Sequence, residues 1–364
     1  MRIGLVTNFR GGLKEFATSL SRGLRTKGFE VDVLCPAQLG MPPGRRQAEG
    51  LSVHYGLPAL ARMFAGRYDL IHCNIASLSF APIVKKKLAN IPLVETFHGF
   101  PQWWLEPKIV DKTSYIAEFG AIQALAKHAN SKTSVSNFVR SAIQEILGID
   151  SSVIHNGIAH CPVSVPTREE SRKQFEVEDG TVAILFVGRL HPAKDPITLL
   201  RAFETLVRQG KKVKLLVVGS GPLSELFHRE IRKRHLEGVA ANWNYLPSLH
   251  EVFSAADIFC LPSINEAFGI VLLEAMDHFL PLLVSDSGAA VEIAGSGGIS
   301  FKTGDVIDLS DKLTQLVNDS ALRQKLGQEG HRRLQKHFGL DSMIEGYTRV
   351  YESLVDRVTS PHTF

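Results

Sequence analysis

Short apolar runs alternate with amphipathic stretches at helical spacing throughout this chain, and the alternation starts twice. No other feature narrows the fold as much, because strands that are apolar along their whole length must be covered on both faces. Residues 2–7 read as such a strand, and 11–28 follow with Leu13, Phe16, Ala17, Leu20 and Leu24 on one stripe. Residues 29–34, 69–73 and 92–97 are the next predicted strands, with a Pro/Gly/Arg loop at 41–46. The second series comprises 181–187, 214–218, 257–261 and 281–285, each followed by an amphipathic helix, with a further strand at 241–244. Between the series, 155–168 has no period and carries Gly157, Pro162 and Pro166, which reads as a linker. A chain of 364 residues also exceeds the ~250–300 at which a single core stops growing. The expected class is therefore α/β, with two doubly wound domains joined near 157–166. Ligands of such sheets bind at the C-terminal strand ends, which implies a cleft between two facing domains.

Composition removes several alternatives. With 44% apolar and 21% charged residues and a mean hydropathy of +0.02, the chain is neither disordered nor fibrous. No apolar run approaches the ~18 residues that span a bilayer. The first residues enter a strand without a signal-peptide core. Cys35, Cys73, Cys161 and Cys260 are widely spaced, which suits a reducing, cytoplasmic compartment and opposes both a disulfide framework and a thiolate metal site. Residues 1–160 carry 18 Lys+Arg against 11 Asp+Glu. Such an excess suits anionic partners, but it is also unremarkable over that length. The basic run at 228–235 reads as a solvated helix face, and without an aromatic platform it predicts no nucleic-acid partner.

Chemistry concentrates in two segments. Glu266 and Glu274 flank Ala267-Phe268-Gly269-Ile270-Val271-Leu272-Leu273 after the predicted strand at 257–261. Eight residues of helix would separate the carboxylates by ~12 Å. A retaining glycosidase pair needs ~5–5.5 Å, so these two suit separate contacts to an extended ligand. Glu266 is expected before a helix and Glu274 two turns inside it. The amides of Phe268, Gly269 and Ile270 would form an anion-binding helix end. The second segment is Gly188-Arg189-Leu190-His191-Pro192-Ala193-Lys194, where two cations follow a strand end and could bind phosphate. Gly11 and Gly12 allow a tight, phosphate-approaching turn after the first strand. Gly219-Ser220-Gly221-Pro222 lacks the acid about 20 residues on that a dinucleotide fingerprint needs.

Taken together, G-R-L-H-P-A-K (188–194), V-V-G-S-G-P-L (217–223), A-D-I-F-C-L-P-S (256–263) and E-A-F-G-I-V-L-L-E-A-M (266–276) resemble glycosyltransferase family 4 in order and spacing. So do Gly11-Gly12, T-F-H-G (96–99), V-S-N-F (135–138) and H-N-G-I (155–158), and the resemblance covers nearly the whole chain. It implies the GT-B fold, two Rossmann-like domains facing a central cleft: 1–160 on the acceptor side, 161–340 holding a nucleotide-sugar donor. A last helix, starting near 341 within 341–364, is expected to cross back to the first domain. It also implies retention of anomeric configuration and no required metal or other cofactor.

Carried over by residue, Glu266 resembles the carboxylate that contacts the donor sugar, and Glu274 the one that binds the ribose. Arg189 and Lys194 resemble the diphosphate clamp, and His98 the histidine facing the sugar. His98 also fits a hydrogen-bonded strand-end histidine. Gly219, Tyr245 and Leu246 fall where the base pocket is expected. The chain departs from the family at Asp195, Tyr245 and Ala289, and at Asp277-His278-Phe279, where glycines are usual at four of these positions. Trp103 and Trp104 could stack on an acceptor sugar or touch lipid, or simply pack their loop. Lys85, Lys86 and Lys87 fit either a contact with the inner membrane surface or a solvated helix end. The expected activity is transfer of a hexose to a glycan, glycolipid or small-molecule acceptor. The alternatives are a catalytically weak nucleotide-sugar-binding protein and a sugar-nucleotide epimerase on the same fold.

Overall fold

The computed structural model describes residues 1–8, 11–36, 43–48, 50–65, 68–74, 91–100, 122–160 and 166–359. The chain divides into two compact units, Met1–Ala159 with Phe338–Phe364, and His160–His337.

The first unit is built on a sheet of β1 (Arg2–Val6), β2 (Glu30–Cys35), β3 (Gly44–Ala48), β4 (Leu51–Tyr55), β5 (Leu70–Cys73), β6 (Leu93–Phe97), β7 (Ser131–Ser134) and β8 (Ser152–Val153). Their order is β3-β4-β2-β1-β5-β6-β7-β8, parallel except where β3 runs against β4. The chain winds outward from β1 through β2 and then from β5 through β6, so the direction switches between β1 and β5. Helix α1 (Gly11–Thr26) buries Phe16, Ala17, Leu20 and Leu24 against Ile3, Leu5, Val31 and Val33. The C-terminal helix, Leu340–Thr359, adds Met343, Ile344, Tyr347 and Tyr351 to the same core. Its approach to α1 depends on Gly23, where a Cβ would stand 1.7 Å from Ile344 Cδ1. Helices α2 (Leu57–Phe64) and α3 (Asn137–Leu147) complete the labelled elements, α3 being capped by Ser136, whose hydroxyl accepts from Val139 N at 3.1 Å.

Four strands of this sheet, β3, β4, β7 and β8, are missing from the strands expected above, and two of them, β3 and β7, escape any hydrophobicity reading. Gly44–Ala48 is an edge strand, although 41–46 reads as a loop. Its polar residues need no buried face, and the Arg45 guanidinium donates to Ser52 Oγ on β4. Strand β7 (S-K-T-S) is polar yet has Thr133 and Ser134 buried. Burial is tolerated because the hydroxyls pair, Thr133 with Thr96 at 2.6 Å and Ser134 with Ser151 at 2.7 Å.

The same network locks the C-terminal helix. The fully buried His72 imidazole bonds the Tyr351 hydroxyl through Nδ1 at 2.6 Å and Thr96 Oγ1 through Nε2 at 2.6 Å. Desolvation holds its pKa down to about 3, so the ring is neutral. Tyr351→Phe strands one buried ring nitrogen. It is expected to lower unfolding free energy by about 1–3 kcal/mol, measured by urea denaturation.

The second unit holds β9 (Val182–Val187), β10 (Val213–Val218), β11 (Ala240–Trp243), β12 (Ile258–Leu261), β13 (Leu282–Ser285) and β14 (Gly298–Phe301). All are parallel, in the order β11-β10-β9-β12-β13-β14. Winding proceeds from β9 to β11 on one side and from β12 to β14 on the other, so the switch lies between β9 and β12. Helices α4 (Arg168–Gln174), α5 (Pro196–Arg208), α6 (Ser224–Lys233), α7 (His250–Ala255), α8 (Ile270–Asp277), α9 (Ala290–Ala294), α10 (Val306–Asn318) and α11 (Ser320–His337) surround it. Helix α4 opens with a capping box between Thr167 and Glu170. Cys35, Cys73 and Cys260 are buried and outside any disulfide among the described residues, and Cys161 lies outside the described residues. Among the described residues no helix is long and apolar enough to cross a membrane.

Candidate functional site

In an open parallel sheet the loops on either side of the switch point diverge, leaving a crevice at the C-terminal strand ends. In the second unit those loops follow β9 and β12, and they carry the two motifs singled out in the sequence. After β9 come Gly188 and Arg189, then the 3₁₀ turn Pro192–Lys194. After β12 come Pro262 to Gly269 and then α8. The two loops are joined: Ile264 N donates to Ala193 O at 2.8 Å, and the Lys194 ammonium pairs with a Glu266 carboxylate oxygen.

Glu266 is 8% exposed. Burial pushes its pKa up, but the Lys194 charge and hydrogen bond, with help from Ser263 and the Ala267 amide, outweigh it and hold the carboxyl below its ordinary value. Its backbone is equally constrained. Glu266 forms a parallel bridge with Gly288, and Ala289 N donates to Glu266 O at 2.7 Å. Asn265 sits at a φ of 52°, a left-handed conformation supported by Ser287 Oγ, which accepts from Asn265 N at 3.0 Å and donates to Asn265 Oδ1 at 2.7 Å.

Arg189 is exposed and has no ion pair among the described residues. Glu274 lies on α8, which starts at Ile270 after Gly269 in a left-handed cap with φ 80°. Because the helix begins this late, Glu274 stands just over one turn inside it rather than two. Phe268 is not part of the helix end. The helix starts at Ile270 and Leu272 N bonds Gly269 O, which leaves Ile270 and Val271 as its open first-turn amides.

Gly219 and Gly221 follow β10 and lie against the Arg189 loop. A Cβ on Gly219 would stand 2.0 Å from Gly188 O, and one on Gly221 2.4 Å from Leu190 O. These glycines serve loop-to-loop contact, fastened by Leu190 N donating to Ser220 O at 3.1 Å. Asn242 on β11 ties in the next loop by donating to Gly219 O at 3.0 Å. Tyr245 beyond it is 77% exposed, and Leu246 is half-buried.

The departures at Asp195 and Phe279 have a common geometry. Asp195 has φ 42° and ψ 50°, a region that glycine enters freely, and its carboxylate accepts from Thr198 N at 3.3 Å to cap α5. Phe279 has φ 56° just past α8 and stacks on His331 with centroids 3.9 Å apart. Neither change displaces the Lys194–Glu266 pair.

In the first unit, His98 follows β6, and Gly11 and Gly12 open α1 at the switch between β1 and β5. Gly11 has φ 50° and an open Cβ position. The His98 ring meets the Phe16 ring edge-on at 4.5 Å and bonds Asn74 Oδ1 through Nε2 at 2.9 Å. Desolvation holds its pKa down to about 3. Asn74, directly after β5, has no sequence signature beyond its place at a strand end. Trp103, Trp104 and Lys85 to Lys87 lie outside the described residues.

Family and fold are shared with known proteins. The family model described as "Glycosyl transferases group 1" matches residues 167–333, and that described as "Glycosyltransferase Family 4" matches 10–160. A phosphatidyl-myo-inositol mannosyltransferase of Mycobacterium leprae is 24% identical, over 97% of this chain and 97% of its own. Sucrose-phosphate synthase from Thermosynechococcus elongatus superposes with a TM-score of 0.83 at 18% identity, covering 98% of this chain and 99% of its own. Anabaena HepE, solved with UDP-glucose, gives 0.80 at 19% identity, covering 97% and 100%. With both halves matched by their respective family models and the GT-B fold shared along the whole chain, this protein belongs to the group 1, family 4 glycosyltransferases.

Proposed function

We propose that this glycosyltransferase moves a hexose from a nucleotide diphosphate sugar to a glycan, glycolipid or small-molecule acceptor with retention of anomeric configuration and without a metal. The observation that carries the reading is the meeting of Lys194 and Glu266 at the β9/β12 switch point, with Arg189 exposed on the same loop. A diphosphate and a polyhydroxyl group need opposite partners close together, and a cation pair beside a buried carboxylate supplies both.

In this reading, charge builds on the departing diphosphate as the glycosidic bond lengthens. Arg189, Lys194 and the first-turn amides of α8 stabilise it, in the role a metal would otherwise fill. Glu266, ionised at neutral pH, accepts hydrogen bonds from donor-sugar hydroxyls, and Glu274 accepts from the ribose. His98 contributes a neutral imidazole to the sugar. The leaving diphosphate takes the acceptor proton, so a separate general base is unnecessary. The donor class is supported by HepE, solved with UDP-glucose, and a lipid-linked acceptor by the mannosyltransferase relative.

The test is binding and turnover of UDP-glucose, GDP-mannose and ADP-glucose with Arg189→Ala as the comparison. Because Arg189 is exposed and Lys194 remains, the variant is expected to lose about tenfold to a hundredfold in kcat, less than a fully enclosed donor would cost. Its stability should change by less than about 0.5 kcal/mol. An unchanged kcat at saturating donor would remove Arg189 from the clamp. Donor binding with no transfer to any acceptor would favour a binding protein instead.

A further inference from the structure

We infer that Asn74 is a positioning residue for His98, holding the imidazole as the Nε2–H tautomer so that Nδ1 is the acceptor the ring offers to substrate. The inference rests on the reading that His98 contacts the donor sugar.

Asn74 stands at the end of β5, between β1 and β6, and its side chain is 4% exposed as part of the residue. Val6 O, at the end of β1, lies 2.9 Å from Asn74 N and 3.4 Å from Asn74 Nδ2. A carbonyl can only accept, so the amide must turn its NH₂ towards Val6 and its oxygen towards His98. The Oδ1 atom lies 2.9 Å from His98 Nε2 and likewise can only accept. Nε2 therefore carries the hydrogen. In a neutral ring the other nitrogen then has the lone pair, and Nδ1 has no partner among the described residues.

Neutrality is secured separately. Desolvation keeps the His98 pKa near 3. The described titratable group coupled to the ring is His72, whose pKa is also about 3 and whose nitrogens are both bonded elsewhere. Phe16 presses on the ring from α1 at a centroid distance of 4.5 Å and limits rotation. Three strand ends and a helix thus specify one tautomer in one orientation. An asparagine suits this duty better than an aspartate. A carboxylate at the same place would also fix the hydrogen on Nε2, but it would favour the imidazolium, whose Nδ1 is a donor.

The experiment combines imidazole ¹⁵N NMR with kinetics on the full chain, using UDP-glucose, GDP-mannose and ADP-glucose as donor probes. His98 resonances are assigned by their loss in His98→Gln. In the wild type they should report the Nε2–H form at neutral pH. In Asn74→Ala they should shift to a tautomer average, with kcat falling about tenfold and KM changing less than about twofold. Asn74→Asp should keep the Nε2–H form at high pH yet acquire an acid limb in kcat, with activity lost as pH falls through the raised imidazole pKa. A merely structural asparagine would not create that limb.

If the ring keeps the Nε2–H form in Asn74→Ala while His98→Gln abolishes turnover, the inference about Asn74 is wrong and the assignment of His98 stands. If His98→Gln turns over normally while the tautomer still depends on Asn74, the assignment of His98 is what fails, and the positioning role fails with it.

Discussion

Lys194→Ala is expected to lose at least about a hundredfold in kcat and, unlike Arg189→Ala, about 3 kcal/mol of stability. The difference comes from burial. The Lys194 side chain is 28% exposed and its partner Glu266 only 9%, so removing the ammonium leaves a carboxylate with little access to water. Breaking such a pair from one side costs more than the pair itself contributes, because the remaining charge loses its compensation. The pH dependence of stability should change sign. In the wild type the folded-state pKa of Glu266 lies below its ordinary value of 4.5. Its contribution is therefore complete above about 4.5 and is lost as pH falls through the lowered folded value. Without Lys194, burial raises the folded pKa above the unfolded one, and the contribution is lost as pH rises through it. Urea denaturation of both proteins between pH 3 and pH 8 checks this. Parallel stability profiles would mean that Lys194 does not compensate Glu266. A double-mutant cycle with Glu266→Gln isolates the pair energy from the two single losses.

Gly288→Ala is expected to be as damaging, although residue 288 needs to touch no ligand. Its φ of 78° strains any L side chain, and a Cβ there would stand 2.4 Å from Glu266 N and 2.6 Å from Glu266 O. Backbone strain and backbone overlap of this kind each cost about 1–3 kcal/mol. The sum, about 4 kcal/mol, must be met by moving the Glu266 loop. We expect a fall of that order in unfolding free energy, read by urea denaturation. The fraction that stays folded should show a kcat loss of tenfold or more, because Glu266 is displaced from Lys194. Gly304→Ala is the control: φ is 74° there as well, but nothing lies within 4 Å of its Cβ position, so only the conformational cost of about 1 kcal/mol should appear. Equal losses at the two glycines would show that close approach to Glu266 is not what Gly288 provides.

Periodicity made the α/β class legible, because a fully apolar strand such as β9 and one-sided helices such as α1 write their burial directly into residue order. Spacing marked Arg189, Lys194, Glu266 and Glu274, since each lies just past a strand or in the helix that follows. The polar strands β3 and β7 were not legible. An edge needs no apolar face, and hydroxyls at Thr96, Thr133, Ser134 and Ser151 find partners only once three separate segments meet. The start of α8 was misplaced for a related reason. Gly269 adopts a left-handed cap that shortens the helix, and helical spacing alone does not report where a helix begins.

The sequence by itself determined the two series of strands and helices, the family, and the strand ends at which chemistry-bearing residues stand. Each of those follows from local order along the chain. Tertiary structure alone decided that Lys194 neutralises Glu266, that Gly288 holds the Glu266 backbone, and that Asn74 sets the hydrogen on His98. These contacts join residues 72, 22 and 24 positions apart in the chain. Their strength depends on how much water the folded sheet ends exclude, a quantity that exists only after the sheets have formed.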